Sequence, residues 1–190
     1  MLFLASNSPR RKQILTEFNI PFECVENKLT KEPDSKLYES PIDYVQECAK
    51  LKAEASFFGC NGIVMGVDTI VYNSSNTIFC KPTSKEHAFE MLSSLVGHSH
   101  HVSSACWIIN TQDWQGVSCV DTARVSFNAV TGDDIWAYIN DHNVLDKAGG
   151  YGIQHHPSFF QAIDGDYYTV MGLPMNKLLK IFSDYGIVKQ

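Results

Sequence analysis

No apolar run in the sequence approaches membrane-spanning length, no C-x-x-C pair occurs, and basic residues are not in surplus. A helix needs about 20 consecutive apolar residues to cross a bilayer, so a membrane span is not expected. The opening Met1-Leu2-Phe3-Leu4-Ala5 gives way at once to a polar turn, which is too short for the apolar region of a secretion signal. The six cysteines, at 24, 48, 60, 80, 106 and 119, are dispersed. That spacing favours reduced thiols in a cytoplasm over a disulfide framework or a zinc site. Fifteen Lys and Arg stand against 21 Asp and Glu, a net charge of −6. A general nucleic-acid surface would need the opposite balance, so any basic cluster must be local. The phosphate loop G-x-x-x-x-G-K-[ST] is absent, and no G-x-G-x-x-G follows a strand. The run Gly97-His98-Ser99-His100-His101 lacks the helical H-E-x-x-H spacing and reads as a loop leading into a strand.

What is present is the material of a sizeable core: 190 residues, 44% hydrophobic and 12% aromatic, without repeats, low-complexity tracts or a linker. The whole span 1–190 reads as one domain or two intimate lobes with no boundary visible in composition. Apolar strands alternate with capped helices, the pattern of an α/β fold. Leu2, Phe3 and Leu4 predict a short strand, followed by a helix that Asn7 or Ser8 can cap and Pro9 can open, with Ile14, Leu15 and Phe18 on its buried stripe. Ser40-Pro41-Ile42-Asp43 predicts a helix to about Phe58, and Ile63 to Tyr72 a buried strand. Thr83-Ser84-Lys85-Glu86 predicts a helix carrying Ala88, Met91, Leu92 and Leu95, with Gly97 as its stop. Strands are expected near Val102–Ile109 and Val117–Phe127, then a helix from Thr131-Gly132-Asp133-Asp134 through Ile139 and a last one from Pro174 to Phe182. Asp164-Gly165, flanked by alternating apolar residues, predicts a hairpin.

Four places can carry chemistry, each beside a plainer reading. Asp68 sits inside "IVMGVDTIVY", where an ionised carboxylate needs a metal, a cation or hydrogen bonds to offset burial. Its plainer role is a strand-end aspartate held by backbone amides. Lys52 shares a helical stripe with Val45 and Ala49, so its ammonium can follow the packed side of the helix or snorkel to solvent. Lys81 stands between a strand and Pro82, placed to reach a cleft or to remain a solvated loop residue. The glycines of "DKAGGYGIQHH" permit close backbone approach to a ligand ahead of Gln154, or serve an ordinary turn.

The first helix poses its own question. Arg10, Arg11 and Lys12 occupy its first turn, where four unpaired N–H groups and the macrodipole disfavour cations. A bound phosphate resolves the conflict, since it would receive the N–H groups, the dipole and the guanidinium charges together. Lys52 and Lys81 could then hold further phosphates, while Asp68 and another acid hold a divalent metal or activate water.

These stretches resemble a known family, the Maf-like nucleoside triphosphate pyrophosphatases. The matching blocks are "LASNSPRRKQIL", "LKAEA", "GVDTIV", Lys81-Pro82, "DKAGGYGIQ" and "DGDYYTVMGLP", in order over nearly the whole chain. The resemblance implies an elongated α/β structure of Maf/ITPase-like type, with a mixed central sheet flanked by helices and two lobes around a central cleft, assembled as a homodimer. It implies hydrolysis of a nucleoside triphosphate between the α and β phosphates, assisted by a divalent metal cation, Mg or Mn. By position, Asp68 matches the proton acceptor and a metal contact; Ser6, Arg11, Lys52 and Lys81 match phosphate binders; Arg10, Thr69 and Gln154 match positions tied to substrate choice. The metal-binding Glu that the family places after the first helix falls in "VENKLTKEP", which holds Glu26 and Glu32; Glu32 is taken for the role. The Asp68-Thr69 pair resembles the branch acting on dTTP and UTP, with modified pyrimidine nucleotides as a further class. Cys80 and His155 stand where Gly is common in the family. Two alternatives stay open: a non-enzymatic nucleotide-binding regulator of cell division, and a house-cleaning hydrolase of modified nucleotides.

Overall fold

A computed structural model describes residues 1–155 and 158–188. The chain runs β1 (Leu2–Ala5), α1 (Pro9–Glu17), β2 (Phe22–Cys24), α2 (Pro41–Ser56), β3 (Ile63–Tyr72), β4 (Ile78–Phe79), α3 (Lys85–Leu95), β5 (Ser99–Asn110), β6 (Gly116–Phe127), α4 (Gly132–Asp141), β7 (Phe160–Asp164), α5 (Tyr167–Met171) and α6 (Met175–Asp184). Short 3-10 turns occur at Ser35–Leu37, Ala148–Gly150 and Ile153–His155. The seven strands form one mixed sheet in the order β2-β1-β3-β5-β6-β7, with β4 also paired to β3. β2, β1 and β3 are parallel, while β3 to β7 along that order are antiparallel.

Most start signals operate as the sequence predicts. Ser40 accepts from the Asp43 amide, Ser84 from the His87 amide, and Thr131 with Asp134 closes a capping box, each satisfying helix N–H groups that would otherwise be unpaired. Ser8 is the exception. It occupies the N-cap of α1, but its side chain makes no capping bond, which leaves that helix start without a protein acceptor from its own cap. The expected hairpin at Asp164-Gly165 does not form. Gly165 turns with φ 128°, and Asp166 then accepts from the Thr169 amide to cap α5, so a turn signal and a helix cap overlap and the cap makes the next element a helix.

β3 organises the molecule. Its side chains alternate between faces: Met65, Val67 and Val71 face the side that carries α1, α5, α6 and α3, whereas Ile70 and Tyr72 pack with Tyr44, Val45, Cys48 and Ala49 of α2. On the first side lie two apolar clusters, one around Ile14, Leu15, Leu178 and Phe182, the other around Leu92, Ile139, Tyr151 and Phe159. α2 crosses β3 so closely that a Cβ on Gly66 would lie 2.2 Å from the Ala49 carbonyl oxygen and 2.4 Å from the Ala53 nitrogen. β5 pairs with one edge of β3 along all of Ile63 to Tyr72. The other edge is shared: β1 covers Ile63–Gly66, and β4 covers Val71–Tyr72. The four residues between, Val67 to Ile70, have no strand partner on that edge among the described residues.

Candidate active site

The uncovered stretch of β3 opens into a cavity of 330 Å³, walled by the β1–α1 turn, α2, the 146–154 segment and the α5–α6 turn. Asp68 and Thr69 both line it. Being adjacent in a strand they point to opposite faces, so the cavity wraps the sheet edge with a different chemistry on each side.

On the α2 face, Gly66 lets the helix close on the strand, and Lys52 lies buried at the contact. Its Nζ donates to Asp68 Oδ1 at 2.5 Å and to Glu32 Oε1 at 2.7 Å. The snorkelling alternative for Lys52 is thereby excluded, and Glu32, distant in sequence, is brought to Asp68 through one ammonium. Burial opposes the Lys52 charge, but Asp68 and Glu32 outweigh it and raise the lysine above its ordinary range. Glu32 shows the converse: burial works against its charge, Lys52 and then Lys81 and Arg11 prevail, and the carboxyl is held below its ordinary value. Lys81 is exposed and lines the same cavity, as well as an adjoining one that includes Cys80. Glu26, the other acid of its segment, is not among the lining residues.

On the opposite face Arg11 is enclosed. Its Nε donates to the Gly172 carbonyl at 2.9 Å, Nη1 to Ser6 Oγ at 2.8 Å and to the Val67 carbonyl at 3.1 Å, and Nη2 to Thr69 Oγ1 at 2.9 Å. Four of five N–H donors are thus used within the protein, leaving one N–H and the charge for a ligand. Burial lowers the Arg11 pKa, with Asp68 opposing that shift. The buried Ser6 hydroxyl also accepts from the Ser8 amide, tying the β1–α1 turn together. Arg10 faces the cavity and meets Asp146 at 3.4 Å; Lys12, the third cation of the turn, is not part of the lining.

The glycine segment closes the remaining wall. Gly149 and Gly150 adopt φ near +70° and +75°, a conformation open to glycine that brings the chain against Val71 and Ala88. Gln154 lines the cavity, and its Oε1 is buried without a hydrogen-bond partner among the described residues. His155 is exposed, stacks on His142 at 4.5 Å and stays outside the lining. Lys147 is a functional candidate that sequence reasoning missed. It is buried in the cavity wall, donates to the Asn143 carbonyl, and contacts Asp146 Oδ1 at 2.6 Å. Its signal lay in "DKAGG", a lysine entering a glycine turn. The histidine run is accounted for by packing: His100 Nε2 bonds Tyr151 Oη at 2.8 Å, and His101 stacks on Tyr72.

The lining thus gathers five cations, Arg10, Arg11, Lys52, Lys81 and Lys147, against three acids, Glu32, Asp68 and Asp146. In a chain of net charge −6 this local excess favours an anionic ligand. The two carboxylates that share Lys52 are hard oxygen donors of the kind that hold Mg²⁺ or Mn²⁺ when substrate phosphates complete the coordination. Among the described residues no group of three or more His, Cys, Asp or Glu could hold a metal unaided. All six cysteines are free thiols, and no helix among the described residues is long and apolar enough to cross a membrane.

Comparison with known proteins gives a consistent picture. Residues 1–185 match the family described as Maf-like protein. A dTTP/UTP pyrophosphatase of Bacillus cereus (strain AH187) is 39% identical over 188 residues, covering 98% of this chain and 96% of that protein. A dTTP/UTP pyrophosphatase of Clostridium perfringens (strain SM101 / Type A) is 38% identical over 190 residues, covering 98% and 97%. The fold is similar to that of the Ham1 protein of Staphylococcus aureus, with a TM-score of 0.52 at 15% identity, covering 96% of this chain and 97% of that one.

Proposed function

The chain belongs to the Maf-like protein family, and from that premise we propose that it hydrolyses dTTP and UTP to the monophosphate and pyrophosphate. The observation that carries this reading is the Glu32–Lys52–Asp68 bridge on the wall of a cation-rich cavity. A site that only bound nucleotide would gain nothing from two carboxylates beside a polyphosphate.

Asp68 Oδ1 is engaged by Lys52, which leaves Oδ2 to take a proton from the attacking water. The water oxygen bonds to the α-phosphorus, the bond from that phosphorus to the α–β bridging oxygen breaks, and pyrophosphate leaves. Lys81 and Lys147 stand round the cavity to stabilise the charge that develops on the phosphates, and the uncapped start of α1 offers backbone N–H groups. Ser6 and Arg11 hold that start in place. Glu32 and Asp68 would hold a divalent cation, which would neutralise phosphate charge and make the attacking water more acidic. Arg10, Thr69 and Gln154 present guanidinium, hydroxyl and amide to the base, and the unpartnered Gln154 Oε1 supports that assignment.

The test is kcat/KM for dTTP, UTP, CTP, ATP, GTP and 7-methylguanosine triphosphate under one metal condition, with products resolved. Pyrophosphate and a pyrimidine preference are expected. Orthophosphate as product refutes the bond assignment, and preference for a purine refutes the base assignment. The homodimer and the cytoplasmic setting implied by the family resemblance belong to the same proposal, and light scattering coupled to gel filtration tests the first.

A further inference from the structure

Thr69 lies directly opposite Ser104 in the β3–β5 ladder, and their hydroxyl oxygens are 2.9 Å apart. Either could donate in isolation, but their other contacts settle the direction. Ser104 is fully buried, and its Oγ lies 2.7 Å from the Thr169 carbonyl oxygen, which can only accept. The Ser104 proton is therefore spent on Thr169, and toward Thr69 the serine offers a lone pair. Thr69 in turn receives an N–H from Arg11 Nη2 at 2.9 Å. Its own proton has two acceptors in reach, Ser104 Oγ at 2.9 Å and the Gly172 carbonyl at 3.4 Å. Turning it to Gly172 would set two oxygen lone pairs against each other at the shorter distance, so it goes to Ser104. One lone pair on Thr69 Oγ1 is left for the cavity.

We propose that Ser104 is a positioning residue for specificity: it takes the Thr69 proton and so fixes that hydroxyl as an acceptor toward the base. An acceptor at this point favours a base edge that presents a ring N–H, as the imide of uracil and thymine does, and repels cytosine, whose corresponding ring nitrogen is itself an acceptor. The inference rests on the pyrimidine reading above and adds to it the residue that sets the polarity. Ser104 does not line the cavity, so its effect passes through Thr69. The Thr169 carbonyl also accepts from the Gly172 amide at 3.2 Å, so removing the serine hydroxyl leaves that carbonyl satisfied.

The experiment compares UTP with CTP in wild type, Ser104→Ala, Thr69→Val and the double variant, by kcat/KM with pyrophosphate detection and by the Kd of the α,β-methylene analogues. A lost or opposed hydrogen bond is worth about tenfold. Wild type is expected to favour UTP by at least about tenfold, and Ser104→Ala to narrow the ratio several-fold, chiefly through the KM and Kd of the cytidine nucleotide, because the Gly172 carbonyl at 3.4 Å is the weaker acceptor left to hold the Thr69 proton. In the Thr69→Val background, Ser104→Ala should change the ratio no further. An unchanged ratio in Ser104→Ala overturns the proposal, as do ratio effects that multiply in the double variant. If Ser104→Ala does not fold, equal kcat/KM for UTP and CTP in wild type overturns it alone. Analogue binding in the expected ratios without pyrophosphate release refutes the catalytic reading and leaves the role of Ser104 standing.

Discussion

Replacing Lys52 by Met removes the ammonium that ties α2 to the open edge of β3 while keeping most of the apolar stem. At 2.5 Å the gross attraction between Lys52 and Asp68 is roughly 7 kcal/mol for an effective dielectric near 20. Both side chains are about nine-tenths covered, so several kcal/mol per ion are lost as hydration and offset most of it. The contact with Glu32 adds little, at most ~1 kcal/mol, because that carboxylate is half exposed. What dominates the variant is the buried Asp68 charge left without its partner, and breaking a buried pair commonly destabilises by ~3–5 kcal/mol. Lys52 and Asp68 both line the cavity and so are not sealed in the core, which favours the lower figure. For a chain of 190 residues, ~3 kcal/mol corresponds to a fall in Tm of roughly 6–12 °C.

The assay is a double-variant cycle of Lys52→Met and Asp68→Asn, measured by thermal and urea unfolding in EDTA. Each single variant should fall by about 3 kcal/mol, and the double variant by little more than either, giving a coupling of roughly 2–3 kcal/mol. Added Mg²⁺ should raise the Tm of Lys52→Met more than that of wild type, since the two carboxylates then lack their ammonium. If the single effects add to within about 0.5 kcal/mol, the two groups act independently, and an ion pair does not preset this site.

Asp68→Asn should lower kcat by ~10²–10³-fold or more while nucleotide still binds through the cations of the cavity, because the variant loses the proton-accepting carboxylate along with its share in holding a divalent cation; wild-type turnover in the purified variant refutes the assignment. Arg11→Lys keeps a charge but not the planar fork that reaches Ser6, Val67, Thr69 and Gly172. It should lose ~2–4 kcal/mol of stability along with kcat/KM, and unchanged Tm would contradict its organising role. Gly66→Ala should force α2 away from β3 and lower both stability, by ~1–3 kcal/mol or more, and turnover, since Lys52 moves with the helix; a stable, active variant refutes the close-approach argument. His100 is pushed down to about 4 from 6.5, first by burial and then by His101, so the unfolded chain binds its proton at a pH where the folded one does not. The stability of the neutral imidazole is complete above pH 6.5 and lost as pH falls through about 4, on the order of 3 kcal/mol in all. Unfolding free energies of wild type and His100→Phe between pH 7 and 4.5 check this, and identical pH slopes refute it.

Long periodic segments were legible because burial there is decided by the segment's own pattern. β3 runs from Ile63 to Tyr72 as its apolar sequence predicts, and the caps at Ser40, Ser84 and Thr131 open helices where expected. Shorter elements were not legible: β2 and β4 have three and two residues, too few to carry a period, and exist through pairing with β1 and β3. α5 was hidden by Asp164-Gly165, whose turn signal is real in Gly165 but leads into the Asp166 cap rather than a returning strand. At the site, Asp68 demanded a partner on energetic grounds, and Lys52 shared a packed stripe, so each could be named singly. That they meet each other depends on Gly66, a residue that reads as an ordinary strand glycine until the helix above it is known.

The edge geometry explains why an adjacent Asp and Thr can divide chemistry from recognition. In a strand covered on both edges, neighbouring side chains face separate compartments and cannot serve one ligand. Here β1 ends its pairing at Gly66 and β4 begins only at Val71, so both faces of β3 open onto one cavity between those points. Asp68 looks toward α2, where Lys52 and Glu32 set its charge environment, and Thr69 looks toward α5, where Arg11 and Ser104 set its hydrogen-bond direction. The two sets share no side chain. Substitutions at Thr69 or Ser104 should therefore change which base is accepted with little effect on the Lys52–Asp68 coupling measured by the double-variant cycle. A large change in that coupling on Thr69→Val would show that the two faces are not independent.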